Sequence, residues 1–174
     1  MPVQPQEFIA LQASMPTTPE LREYPKLDLA AEVLRSGGTV RVKAWGTSML
    51  PSLWPGDLLT IENTHAAKIV PGDIVAVRRN GRFFVHRLVE KRMDQGVLSW
   101  ITRGDAMRQN DPPATNGELL GRVSSIERGH QARTPVSELS WLNSVVAWML
   151  CRSNRFRSAA LRIHSLRHSA FDLA

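Results

Sequence analysis

Three short stretches carry residue types that could do chemistry together. Ser48 lies in GTSMLPSLWPGDLL (46–59), His86 in RFFVHRLVEK (82–91), and Asp105 and Asp111 in TRGDAMRQNDPP (102–113). A serine hydroxyl is a poor nucleophile until a neighbouring base removes its proton. A neutral imidazole is such a base, and burial disfavours the charged form of a histidine. A carboxylate on the other ring nitrogen would fix the tautomer. Brought together, the serine, histidine and an aspartate would make an activated nucleophile, its base and an orienting acid. Each residue also has a plain reading: a turn serine, a strand histidine, and two loop aspartates that bond to their own backbone. Spacing alone leaves the choice between Asp105 and Asp111 open. His65, His130, His164 and His168 stand in polar or basic surroundings and are weaker candidates for a base. The chain has no HExxH, no CxxC, no phosphate loop and no dinucleotide fingerprint, so neither a metal nor a cofactor is expected.

The elements that must position these residues are mostly strands. After Gly38 the sequence breaks into TVRVKAW, DLLTIEN, GDIVAVRR, FFVHRLVEK, VLSWITR and ELLGRVSSIER, each bounded by turn formers. Alternation along FFVHRLVEK sends Phe84, His86 and Leu88 to one face and Phe83, Val85, Arg87 and Val89 to the other. Trp54-Pro55-Gly56-Asp57 and Val70-Pro71-Gly72-Asp73 read as two similar turns entering strands, and Asn80-Gly81 reads as a tight hairpin. LDLAAEVLRSGG predicts a short helix capped by Asp28, with Leu29, Val33 and Leu34 on its inner face and Gly37 and Gly38 ending it. From Pro135 the pattern turns helical: Leu139, Leu142, Val145, Val146, Met149 and Leu150 recur at helical spacing, and SAALRIHSLRH suggests a second helix. The expected organisation is a proline-rich leader over 1–26, a β domain over 27–130, and a basic, Trp-containing helical tail over 131–174.

The chain of 174 residues is long enough for one domain with a real core, and its formal net charge is +6. From Arg128 onward seven arginines face only Glu138 and Asp172, so the excess is concentrated in the tail. A basic stretch beside a Trp- and Leu-rich helix suits an anionic membrane surface, and no specific nucleic-acid binding is expected. The single cysteine, Cys151, excludes an intramolecular disulfide. The first 26 residues have no basic residue before Arg22 and no unbroken apolar run, and no segment reaches the roughly 18 to 20 apolar residues of a spanning helix. The expected location is the cytoplasm, or the inner membrane face peripherally.

Taken in order, the three stretches resemble the boxes of the type I signal peptidase family, which shares a superfamily with the self-cleaving domains of SOS repressors. GTSMLPSLWPGDLL resembles the Ser-Met-x-Pro nucleophile box, GDIVAVRRNGRFFVHRLVEK the strand pair bearing the base, and TRGDAMRQNDPP the Gly-Asp box. The resemblance covers roughly residues 38–128. Histidine at position 86, where bacterial signal peptidases and the repressors use lysine, resembles the endoplasmic-reticulum and archaeal-type branch.

The resemblance implies a mainly β fold, a coiled sheet or partly open barrel, with a short helix before it and helices after it. It implies Ser48 as nucleophile, His86 as base, Asp111 as orienting acid and Asp105 as support, with Gly46, Thr47, Met49 and Pro51 shaping the oxyanion hole and substrate groove. The substrate would be an extended leader or preprotein peptide cut after small residues. The family's hydroxyl two residues before the nucleophile is replaced here by Gly46. The competing reading is a non-catalytic module that keeps the groove to bind a peptide or membrane.

Overall fold

A computed structural model describes residues 28–94, 96–137 and 146–147. A helix, α1, covers 28–35. Eight strands follow: β1 (Thr39–Lys43), β2 (Leu58–Glu62), β3 (Ile74–Arg79), β4 (Arg82–Asp94), β5 (Val97–Arg103), β6 (Ala114–Thr115), β7 (Leu119–Arg128) and β8 (Gln131–Arg133). A 3₁₀ turn at Ala66–Lys68 lies between β2 and β3, with the His65 ring accepting from the Ala67 N–H. All pairings are antiparallel, in the order β1-β2-β7-β3-β4-β5-β6, and β8 adds to β7. The mainly β expectation holds.

The sheet is covered on both faces, as strict alternation requires. Ile74 and Ala76 enter one apolar cluster with Met49, Leu53, Leu59, Ile61 and Leu34, against which Phe83 and Val85 pack. Val75 and Val77 enter the other with Leu88 and Trp100, joined by Phe84. The Asn80-Gly81 pair makes the β3–β4 hairpin, with φ of 50° and 72°, both in the left-handed region that a two-residue hairpin turn uses.

The two PGD turns have the same internal geometry. In each, the aspartate N–H donates to the carbonyl three residues back, and its side chain accepts from the N–H of that same residue: Asp57 with Trp54, Asp73 with Val70. Gly56 and Gly72 take φ of 96° and 99°. Asp57 is then gripped by Arg128 through Nε at 2.7 Å and Nη2 at 2.6 Å, which ties the end of β7 to the loop carrying Ser48.

Several expectations need correction or lie elsewhere. Leu34 of the predicted inner face of α1 is fully buried, but Leu29 is 66% exposed; Ala30 and Ala31, four and three residues before Leu34, complete the buried stripe in its place. Asp28 accepts a 2.6 Å bond from Arg78 Nη2. The short strands β6 and β8 were not expected; β8 occupies residues 131–133, at the start of the predicted helical tail, where it extends β7. Of the predicted carboxy-terminal helices, residues 146–147 are helical, and the remainder lies outside the described residues, as do the leader, Cys151, His164 and His168.

Candidate active site

The loop from residue 44 to 57 leaves edge strand β1 and returns as β2. Gly46 turns it with φ of 80°. Residues 48–52 form a compact turn, closed by Leu50 N–H to Thr47 O and Leu53 N–H to Met49 O. Met49, Leu50 and Leu53 are buried, so the turn is held by its apolar side chains, and Ser48 is left half-exposed on its rim. This is the local reason for a small hydroxyl among turn formers and apolar residues.

His86 comes from the middle of β4, opposite Val75 of β3, and is buried. Its Nε2 is 3.0 Å from Ser48 Oγ, and its Nδ1 is 2.7 Å from Asp111 Oδ2. The Phe84 ring lies beside the imidazole, centroid to centroid 5.2 Å and tilted 54°.

Asp111 follows β5 by a short excursion that folds back on it. Its N–H donates to Thr102 O at 2.8 Å, and Thr102 Oγ1 donates to its Oδ2 at 2.6 Å. Burial pushes the Asp111 carboxyl up, but the bonds from His86 and Thr102, with the nearby charges of His86 and Arg79, outweigh it and leave the pKa below the ordinary value. An ionised carboxylate only accepts, so in the neutral imidazole the proton belongs on Nδ1, which leaves the Nε2 lone pair facing the serine hydroxyl. Arg79 steadies the same excursion by donating to Pro112 O, Pro113 O and the Glu118 carboxylate.

Asp105 does not meet His86. Its carboxylate receives the Arg87 fork through Nε and Nη2, both at 2.8 Å, and the Ser52 hydroxyl. The turn that holds it also touches the nucleophile loop through Ala106 N–H to Ser48 O at 2.8 Å.

Ser48 opens on a cleft of about 210 Å³ lined chiefly by apolar side chains, among them Val42, Trp45, Met49, Leu53, Phe83 and Val85. Gly46 and Met49 border it; Thr47 and Pro51 do not, and Pro51 O instead accepts from Trp54 Nε1. Two strand edges run along the cleft. β1 ends the sheet, and β4 pairs β5 only from Arg87 onward, so among the described residues no strand pairs the outer edge of β1 or the second edge of Arg82–His86.

Thr102, Ser52, Gly104, Arg87 and Arg79 were not picked out as site residues from the sequence. Arg87 and Gly104 carried a signal, lying beside His86 and Asp105. Thr102 carried none, since its pairing with Asp111 arises only when the chain folds back. Among the described residues no group of three or more His, Cys, Asp or Glu could hold a metal ion, and no helix is long and apolar enough to cross a membrane.

The family model described as Peptidase S24-like matches residues 7–123 of the chain. No curated protein matches it at a significant level.

Proposed function

The chain belongs to the Peptidase S24-like family, and from that premise we propose that it is a serine endopeptidase in which Ser48 attacks and His86 is the base. The observation that carries this reading is the hydrogen-bonded line from Ser48 Oγ through His86 to Asp111, with the serine opening on an apolar cleft.

The substrate is an extended peptide, leader- or signal-like, cut after small residues. Its backbone pairs with the unpaired edges of β1 and β4, and the cleft receives its apolar side chains. Ser48 Oγ attacks the scissile carbonyl while its proton passes to His86 Nε2. Asp111 stabilises the imidazolium that forms. The Ser48 N–H, which donates no hydrogen bond among the described residues, helps hold the oxyanion. The tetrahedral adduct collapses to an acyl-enzyme as His86 gives its proton to the departing amine. Water, activated by the same histidine, then releases the acid.

Histidine in the base position, with arginine after it, supports the endoplasmic-reticulum and archaeal-type branch over the lysine-using ones. Attachment of the basic tail to an anionic membrane surface rests on its composition. It is tested by vesicle binding of the full chain before and after replacement of Arg152, Arg155 and Arg157 by Gln; undiminished binding by the variant removes the arginines from attachment.

The test of the activity is mass spectrometry of a diverse peptide library incubated with wild type and Ser48→Ala in parallel. Cleavage by wild type alone is the expected result, with rates rising with pH as the histidine loses its proton and abolished in His86→Ala. Peptides captured but left intact by both proteins would replace the peptidase with a peptide-binding module.

A further inference from the structure

Arg87 stands next to the base in sequence, yet its side chain reaches four other parts of the chain. Nε and Nη2 form a fork onto Asp105, and Nη2 also donates to Ser52 Oγ at 3.1 Å. Nη1 donates to Gly72 O at 2.7 Å and Val136 O at 2.8 Å, with Ser137 O at 3.3 Å. A guanidinium has five N–H donors in a fixed plane, and these contacts use all of them. Both members of the Arg87–Asp105 pair are largely shielded, with side chains 12% and 3% exposed. So shielded an ion pair persists only because its donors and acceptors are satisfied.

The partners are not a random set. Ser52 belongs to the turn that presents Ser48, and Ala106, beside Asp105, holds the Ser48 carbonyl. Gly72 precedes β3, the strand paired with the one carrying His86. Val136 and Ser137 lie on the chain after β8 has left the sheet. We propose that Arg87 is the positioning residue of the site, setting the separation of Ser48 and His86, and that the segment at 136–137 is latched to that geometry through it. The inference rests on the peptidase reading for its kinetic consequence only; the latch itself is a matter of geometry.

Gly72 gives the latch a selective test. A Cβ at Gly72 would lie 2.6 Å from Ser137 O and 3.1 Å from Ser137 Cβ, whereas at Gly56 the nearest atom is Lys43 Cε at 3.9 Å. The two glycines occupy equivalent turns with φ of 99° and 96°. Alanine therefore imposes the same backbone strain at both, and only Gly72→Ala pushes the 136–137 segment off Arg87.

The experiment compares Arg87→Lys, Gly72→Ala and Gly56→Ala in the full-length chain, with the folded fraction measured for each. On a peptide that wild type cleaves, Arg87→Lys is expected to lower kcat by about 10²-fold at unchanged KM, the cost of misplacing reacting groups by about 1 Å. Gly72→Ala is expected to lower kcat by about 10-fold on the same ground, while Gly56→Ala loses thermal stability to a similar degree and keeps kcat. The His86 ring ¹⁵N and Nδ1–H resonances provide a readout that needs no substrate: they should move in Arg87→Lys and Gly72→Ala and stay put in Gly56→Ala. Equal kcat in the two glycine variants, or an unmoved His86 resonance in all three, overturns the proposal. Absence of cleavage by wild type together with the expected resonance shifts would sink the peptidase reading and leave the latch standing.

Discussion

The carbonyl oxygen of Ser48 passes so close to Gly104 that a Cβ there would stand 2.6 Å away from it. Met107 Cγ and Sδ, at 3.0 Å, belong to a flexible side chain and can yield; the Ser48 backbone is held by the Ala106 N–H and cannot move without carrying the nucleophile with it. Gly104→Ala is therefore expected to displace the serine from His86. The expected cost is about 10²-fold in kcat, from misplacement of the reacting group. Destabilisation should stay within about 1–3 kcal/mol, as for other overpacked sites. Steady-state kinetics and thermal melts on the same preparation check this; a variant with reduced stability but full kcat would show that the contact only packs.

The two aspartates should separate cleanly in function. Asp111→Asn presents an amide to His86 Nδ1 and favours the wrong tautomer, which in Ser-His-Asp sites of other proteins costs about 10⁴-fold in kcat. Asp105→Asn leaves the His86–Asp111 bond intact and weakens the Arg87 fork, so its loss should be smaller and should appear without a change in the shape of the pH–rate profile. A larger loss at Asp105 would move the orienting role to that residue.

Thr102 is 1% exposed and spends its hydroxyl on Asp111. Thr102→Val is expected to cost about 1 kcal/mol of stability through the lost hydrogen bond. It also removes one of the interactions that lower the Asp111 pKa. A group whose folded pKa is depressed stabilises the protein above its unfolded pKa and loses that contribution as pH falls through the folded value. As pH falls below the unfolded carboxyl range the variant should therefore lose less stability than wild type, and its loss should be complete at higher pH. Melting temperatures taken on descending pH read this directly; parallel curves would exclude the link.

Glu118 offers a second acid-sensitive contact remote from the nucleophile. Bonded chiefly by Arg79, its carboxyl is lowered from the ordinary 4.5 to about 2. Its contribution is complete above pH 4.5 and fades between there and about 2. Glu118→Gln should flatten that part of the stability curve and loosen the grip of Arg79 on the Pro112 and Pro113 carbonyls next to Asp111. Urea unfolding across this window tests it, an unchanged acid limb being the contrary result.

Much of this protein is legible without coordinates, because local physics repeats along the chain. Short β-like runs bounded by turn formers located the six longer strands, and period-two alternation put Phe84 and Leu88 on one face of β4 and Phe83 and Val85 on the other. Asn80-Gly81 and the two PGD tripeptides marked turns that few other residues can make. Ser48, His86 and the aspartates stood out as residue types able to act together. What folding alone decided is which of them touch. The Asp111 excursion turns back on Thr102, whereas Asp105 is drawn to Arg87; both follow from loop paths set by long-range contacts. On α1, Leu34 is buried as its spacing predicts, but two small alanines rather than Leu29 pack inward beside it. β6 and β8 are too short to show a period, and they exist only because β5 and β7 offer them an edge. Residue type and spacing thus determined the strands and the candidate chemistry. The partners of each polar group came from the tertiary structure, since a hydrogen bond is specified by where two distant segments meet rather than by either one alone.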